Sequence, residues 1–181
     1  MNPNNKIEGR TWVIDPIDGT HHYMKNSIYW GIQLAFLDEN EIKFSMIYIP
    51  KLNEFYYAIK DIGAYLNNVK IEPNNFSLNE SIIEFCGSMN KCLEDKKEIF
   101  YNLLDGEVKP ANFMHINACS YAFSNLLSNR TNILVMSTKR IWDVMPGSFM
   151  ALEAGIKTYS YKNLNIFSNS KDFDEIIKKI H

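Results

Sequence analysis

The chain of 181 residues has no run of 18 or more apolar residues, and its first ten residues are polar and Asn-rich. That pattern predicts neither a membrane-spanning helix nor a secretory signal peptide. There is no block of basic residues and the net charge is -2, so nucleic acid and an anionic membrane surface are not expected as partners. Only three cysteines occur, Cys86, Cys92 and Cys119. An odd number without metal-ligand spacing predicts reduced thiols, and with them a cytoplasmic location. No internal repeat, low-complexity segment or glycine-rich nucleotide loop is present. What remains is the composition of a globular protein, long enough for one compact domain or for two small lobes sharing a core.

The informative stretch is Trp12-Val-Ile-Asp-Pro-Ile-Asp-Gly-Thr20. An apolar run reads as a buried strand, followed by two carboxylates, a proline, a glycine and a threonine within six residues. Pro16 fixes its own φ and holds Asp15 extended at the strand tip. A tight turn would then return Asp18 to the same side and expose the Ile17 carbonyl. Paired carboxylates with a carbonyl suit a hard cation such as Mg2+. Gly19 permits close backbone approach, and the amides of Gly19 and Thr20 would receive a phosphate oxygen. A plainer reading stands beside this one: Asp18 caps a helix, and Asp15 merely ends a strand.

The next segments, Tyr29 to Leu37, Ile42 to Ile49 and Phe55 to Ile59, with polar breaks at Asp38–Glu41 and Pro50–Glu54, predict an antiparallel meander. Gln33 and Ser45 read as face-alternating residues without chemistry. The Asn-rich stretch 68–80 is the candidate lobe boundary, dividing an antiparallel-sheet lobe (1–80) from a smaller α/β lobe (81–181). A strand is expected over Ser81–Phe85 and a helix over about Lys91–Leu104, with Lys91, Lys96 and Lys97 on a solvated face. A second helix is expected over His115–Leu127, and a short strand over Ile133–Met136. Asp143 precedes a helix that Gly155 would end in a left-handed cap; read alone, it is an N-cap. Strands near Thr158–Tyr161 and Leu164–Phe167 lead to a final helix from Asp172, where Asp172 and Glu175 are spaced as a capping box. His21 and His22 are adjacent and so do not face one another, which argues against a joint zinc site.

Trp12–Thr20 resembles the first signature of the inositol monophosphatase family of Mg2+-dependent phosphatases. Ile141-Trp142-Asp143-Val144-Met145-Pro146-Gly147, followed by Glu153-Ala154-Gly155, resembles the second. The order and separation of the two match as well, and the resemblance runs from about Trp12 to the C-terminus. It implies an α+β fold, a layered α/β sandwich of the inositol monophosphatase type, here N-terminally truncated. It implies Mg2+ as cofactor, with Asp15, the Ile17 carbonyl, Asp18 and Asp143 as metal ligands. Thr20 and Asp15 would be catalytic, Thr20 orienting the attacking water. The Gly19 and Thr20 amides would hold phosphate, while Asn117, Ala118 and Cys119 line the substrate pocket, and Trp142 packs to hold Asp143 in place. The implied activity is hydrolysis of a small phosphate monoester: an inositol, sugar or nucleotide phosphate.

Three departures from the family follow. Its N-terminal helical segment and a metal-binding pair of glutamates upstream of the first signature have no match, since Glu8 fits neither by context nor by distance. Met136 stands where inositol-processing members place a glutamate, and Met145-Pro146-Gly147 where small residues are usual. The expected consequences are an uncovered sheet face, met by a homodimer or another partner, and a second functional reading: a non-catalytic remnant that keeps the fold and some metal or phosphate binding.

Overall fold

A computed structural model describes residues 9–87, 93–138 and 140–180. Cys92, Glu8 and Lys91 lie outside them.

Six strands form the first sheet in simple sequence order: β1 (Arg10–Asp18), β2 (Gly31–Asp38), β3 (Glu41–Ile49), β4 (Glu54–Ile59), β5 (Gly63–Leu66) and β6 (Val69–Lys70). Every neighbouring pair is antiparallel. Two of the hairpins turn on two residues with positive φ, Glu39-Asn40 (49° and 65°) and Asn67-Asn68 (48° and 69°). This is the backbone that matches strand twist in the tightest turns, and asparagine tolerates it better than most residues. After β1 the short helix α1 (Thr20–Met24) leads into β2.

The second sheet is mixed: β10 (Lys157–Tyr161), β11 (Leu164–Ser168), β9 (Ile133–Met136), β7 (Ile82–Cys86) and β8 (Asn112–His115), in that spatial order. β7 runs parallel to both β8 and β9. Between the sheets lie α3 (Cys119–Leu127) and α4 (Ile141–Glu153); on the far side of the second sheet lie α2 (Leu93–Leu104) and α5 (Phe173–Ile180). One core cluster joins both sheets through α3 and α4, with Ile47, Ile49 and Tyr56 from one side and Cys86, Leu134 and Phe167 from the other.

Residue size sets how close α4 comes to the first sheet. The row Val13, Ala35, Ser45, Ala58, Ala64 runs across five strands on the inner face and is made of small side chains. α4 touches β1 through β5, and the Ser45 hydroxyl donates to the Pro146 carbonyl at 3.0 Å. Gly147 packs α4 onto α3 so tightly that a Cβ there would sit 2.0 Å from the Phe123 ring.

Several expectations are corrected. β1 is not buried on both faces: Trp12 is 55% and Ile14 53% exposed, because no described element covers their side of the sheet. The helix expected from His115 starts at Cys119, since residues 112–115 pair with β7 as a strand. Lys96 is buried within α2 rather than solvated. Asp172, directly before α5, also accepts the Leu78 amide on its carboxylate (2.7 Å), and a capping box that sequence reading did not single out is formed by Ser77 and Glu80. Gly155 does end α4 with φ 78°. Among the described residues, no helix is long and apolar enough to cross a membrane.

Candidate active site

A cavity of about 430 Å³ opens where the first sheet, α3 and α4 meet. The C-terminal end of β1 supplies Asp15, Ile17 and Asp18, and Gly19, Thr20 and His21 follow on the same wall. Asn117 and Cys119 come from the start of α3. Thr138, Arg140, Trp142 and Asp143 come from the turn after β9 and the first turn of α4.

Asp15 and Asp18 are three residues apart, and on a regular strand they would point to opposite faces. The pairing of β1 with β2 slips between them: Asp15 faces Gln33 while Asp18 faces Gly31, so three steps on one strand match two on the other. This bulge, and not the tight turn expected from the sequence, brings both carboxylates to the inner side. Pro16 sits inside the bulge, where its missing N–H costs the ladder least. The Ile17 amide donates to the Asp15 carboxylate at 3.2 Å, tightening the same segment.

Asp18 does not cap the helix that follows it. Gly19 holds that position with φ 80°, and a Cβ there would lie 2.7 Å from the Tyr29 carbonyl oxygen and 2.9 Å from the Ala118 side chain. Instead Asp18 reaches across the molecule to α3, where its Oδ2 accepts the Ser120 amide and hydroxyl, each at 2.6 Å. The N-cap residue of α3 is Ala118, which has no side-chain oxygen, so Asp18 supplies the acceptor and negative charge that this helix end favours. Gly31 makes room for the Ser120 hydroxyl, which a Cβ at Gly31 would meet at 2.7 Å.

Asp143 is the third residue of α4, after an N-cap at Arg140, so the plain N-cap reading fails for it too. Thr138 donates its hydroxyl to Asp143 Oδ2 at 3.0 Å. Trp142, the residue before Asp143, lines the cavity wall and is 42% exposed.

The electrostatics are those of crowded carboxylates. Burial pushes the Asp18 pKa up to about 6, the Ser120 hydrogen bonds oppose this, and the charges of Asp143 and Asp15 add to it. Burial likewise raises Asp143, against Thr138 and Arg140, with Asp15 again adding. The ligand atoms of Asp18, Asp143 and Cys119 lie within 4.8 Å of one another. Two nearly buried carboxylates with a third beside them form a set that a divalent cation would relieve, and oxygen donors suit Mg2+. The residues present therefore fit a metal ion.

Of the residues singled out from the sequence, Asp15, Ile17, Asp18, Gly19, Thr20, Asn117, Cys119 and Asp143 share this cavity. Ala118 does not line it; it is buried against Gly19. Ser120, Thr138 and Arg140 escaped sequence reading, as each is defined by a partner that only the fold supplies. Met136 is fully buried at the end of β9.

The family model described as "Inositol monophosphatase family" matches residues 2–171. A fructose-1,6-bisphosphatase/inositol-1-monophosphatase of Thermotoga maritima is 28% identical over 95% of this chain and 68% of its own length. An inositol-1-monophosphatase of Bacillus subtilis is 26% identical over 82% of this chain, and the match spans 56% of that protein. The chain thus corresponds to between about half and two thirds of these relatives. An IMPase/NADP phosphatase solved with Mg2+ and phosphate superposes with a TM-score of 0.79, at 21% identity, over 99% of this chain and 69% of that one. The layered architecture, the two aspartate-bearing segments meeting at one cavity and the match over nearly all of its length lead to one assignment: the chain belongs to the inositol monophosphatase family.

Proposed function

We propose that the chain hydrolyses a small phosphate monoester in a Mg2+-dependent reaction, with Asp15, the Ile17 carbonyl, Asp18 and Asp143 as metal ligands. The observation that supports it most is convergence: Asp18 at the end of β1 and Asp143 at the start of α4 have their ligand atoms within 4.8 Å, with Asp15 on the same cavity wall. Bound there, Mg2+ would neutralise phosphate oxygens and acidify a water molecule.

The chain's own residues supply the rest. The Thr20 hydroxyl orients the attacking water, and the Gly19 and Thr20 amides receive phosphate oxygens. Asp15 accepts hydrogen bonds from the water that its charge helps to align. Asn117 and Cys119 form the wall against which the alcohol portion of the substrate rests. Asp18 is held by Ser120 and Asp143 by Thr138, so neither carboxylate has to be ordered when substrate arrives. The resemblance places Met136, buried at the end of β9, where inositol-processing members carry a glutamate that contacts the sugar hydroxyls; this argues against inositol phosphate itself and leaves other small phosphate monoesters, such as sugar or nucleotide phosphates, as candidates.

The test is phosphate release by the purified chain over a panel of inositol, sugar and nucleotide monophosphates, with and without Mg2+. Mg2+-dependent turnover that falls at least about a hundredfold in Asp18→Asn is the expected result. A folded chain that binds Mg2+ without turnover on any of these esters would favour the non-catalytic reading.

A further inference from the structure

The cavity contains a donor that a magnesium site does not use. Cys119 is the first residue of α3 and 4% exposed, and its Sγ lies within 4.8 Å of carboxylate oxygens of both Asp18 and Asp143. Asp18 is itself 7% exposed, and both of its Ser120 bonds fall on Oδ2, which leaves Oδ1 for a ligand. A second sulfur stands behind the first: Cys86 Sγ, at the end of β7, is 3.7 Å from Cys119 Sγ.

We propose that Asp18, Asp143 and the Cys119 thiolate form a mixed oxygen–sulfur site for a borderline divalent cation of the Zn2+ or Co2+ type, which competes with Mg2+ for the same cavity. This rests on the reading of Asp18 and Asp143 as ligands, and does not depend on phosphate hydrolysis.

Distances and donor chemistry support it. Zinc sits about 2.3 Å from sulfur and 2.0–2.2 Å from carboxylate oxygen, so a tetrahedral ion holds an oxygen and a sulfur roughly 3.6 Å apart. Donors at most 4.8 Å apart need to close by only about 0.6 Å each, within the reach of small side-chain rotations. Three protein donors leave a fourth position open towards the cavity, as in zinc sites that exchange a ligand. Mg2+ gains nothing from the sulfur, because it takes hard oxygen donors, whereas thiolate selects borderline and soft ions. The metal takes the thiolate, so binding is an exchange: the Cys119 S–H bond breaks, the S–metal bond forms and the proton goes to solvent. Cys86 then supports the bound thiolate from the neighbouring strand, as outer partners of metal ligands do.

The experiment is a Co2+ titration of the reduced chain followed by absorption spectroscopy. The expected result is a thiolate-to-cobalt charge-transfer band in the near ultraviolet that saturates at one equivalent and is abolished by equimolar Zn2+ but not by equimolar Mg2+. Cys119→Ser, with Cys86 and Cys92 intact, loses the band and binds Zn2+ at least about tenfold more weakly, since deleting a ligand costs no less than deleting its outer partner. Cobalt d–d bands without the charge-transfer band would overturn the role of Cys119 while leaving the carboxylate site in place. No cobalt binding at all would remove the metal reading itself. A charge-transfer band that persists in Cys119→Ser would assign the sulfur to another cysteine and overturn the proposal. Should that variant fail to fold, alkylation of the unaltered chain decides: Zn2+ protects Cys119 from iodoacetamide if the site exists, and leaves its labelling rate unchanged if it does not.

Discussion

The two sheets of this molecule are covered differently. The mixed sheet is packed on both faces: Cys86, Leu134, Met136 and Phe167 look towards α3 and α4, while Ile83, Phe85, Ile133, Val135 and Ile166 look towards α2 and α5. Among the described residues, the antiparallel sheet is packed on one face only. Its outer face carries apolar rows that cross several strands, Trp12, Phe36, Phe44 and Ile59 in one and Ile14, Leu34, Met46, Tyr57 and Tyr65 in the next. So a carboxyl, Glu84, is fully buried in one sheet while a tryptophan is more than half exposed on the other. Burial here follows what covers a face and not the polarity of the residue, and the candidate site lies on the covered side of both sheets.

The largest effect is expected where the sheets are joined. A Cβ at Gly147 would lie 2.0 Å from the Phe123 ring, inside the layer that both sheets share. Gly147→Ala should cost about 4 kcal/mol, because neither helix can retreat without leaving its sheet. Gly155 offers a contrast, since a Cβ there meets nothing within 4 Å; only its positive φ makes alanine unfavourable, by about 1–2 kcal/mol. Thermal unfolding of the two variants would show whether the layer between the sheets is as tight as described. Equal losses would contradict it.

The doubly covered sheet gives the second effect. Burial raises the Glu84 pKa to about 7, opposed by the hydrogen bond from the Asn125 side chain, which is 3.1 Å away. A carboxyl whose folded pKa is raised contributes stability that is present below its unfolded value, near 4.5, and lost as pH rises through about 7. Glu84→Gln should therefore be more stable than the unaltered chain at about pH 8, by on the order of 3 kcal/mol, and nearly equal at about pH 4. Melting curves across that range provide the check. Some slope below pH 6 should survive in the variant, since Asp18 is also raised.

The open face gives the smallest. Ile14→Ala should cost less than about 1 kcal/mol in this chain, where truncating a fully buried core isoleucine such as Ile47 costs roughly 2–5 kcal/mol. A loss at Ile14 equal to that at Ile47 would mean that the outer face is covered in solution.

The sequence was legible wherever local chemistry decides. Alternating residues and polar breaks marked the meander, and the two signatures marked the cavity walls. It was not legible where a distant partner decides. The bulge that turns Asp15 and Asp18 to one side exists only in the register of β1 against β2. Asp18 and Ser120 are 102 positions apart, so nothing near Asp18 shows that it caps α3 and not α1. Residues 112–115 have a pattern that a helix would accept; the parallel edge of β7 makes them a strand. Trp12 and Ile14 read as buried because they are apolar, and whether a second layer covers them is not written in those residues.

The central claim is that two segments, one from each half of the chain, together make a cation site. It is tested most directly by Mn2+ binding followed by electron paramagnetic resonance, in the unaltered chain and in Asp18→Asn and Asp143→Asn. Mn2+ should bind in competition with Mg2+, and each substitution should weaken binding at least about tenfold while the fold is retained. Unchanged Mn2+ affinity in either folded variant would contradict the account.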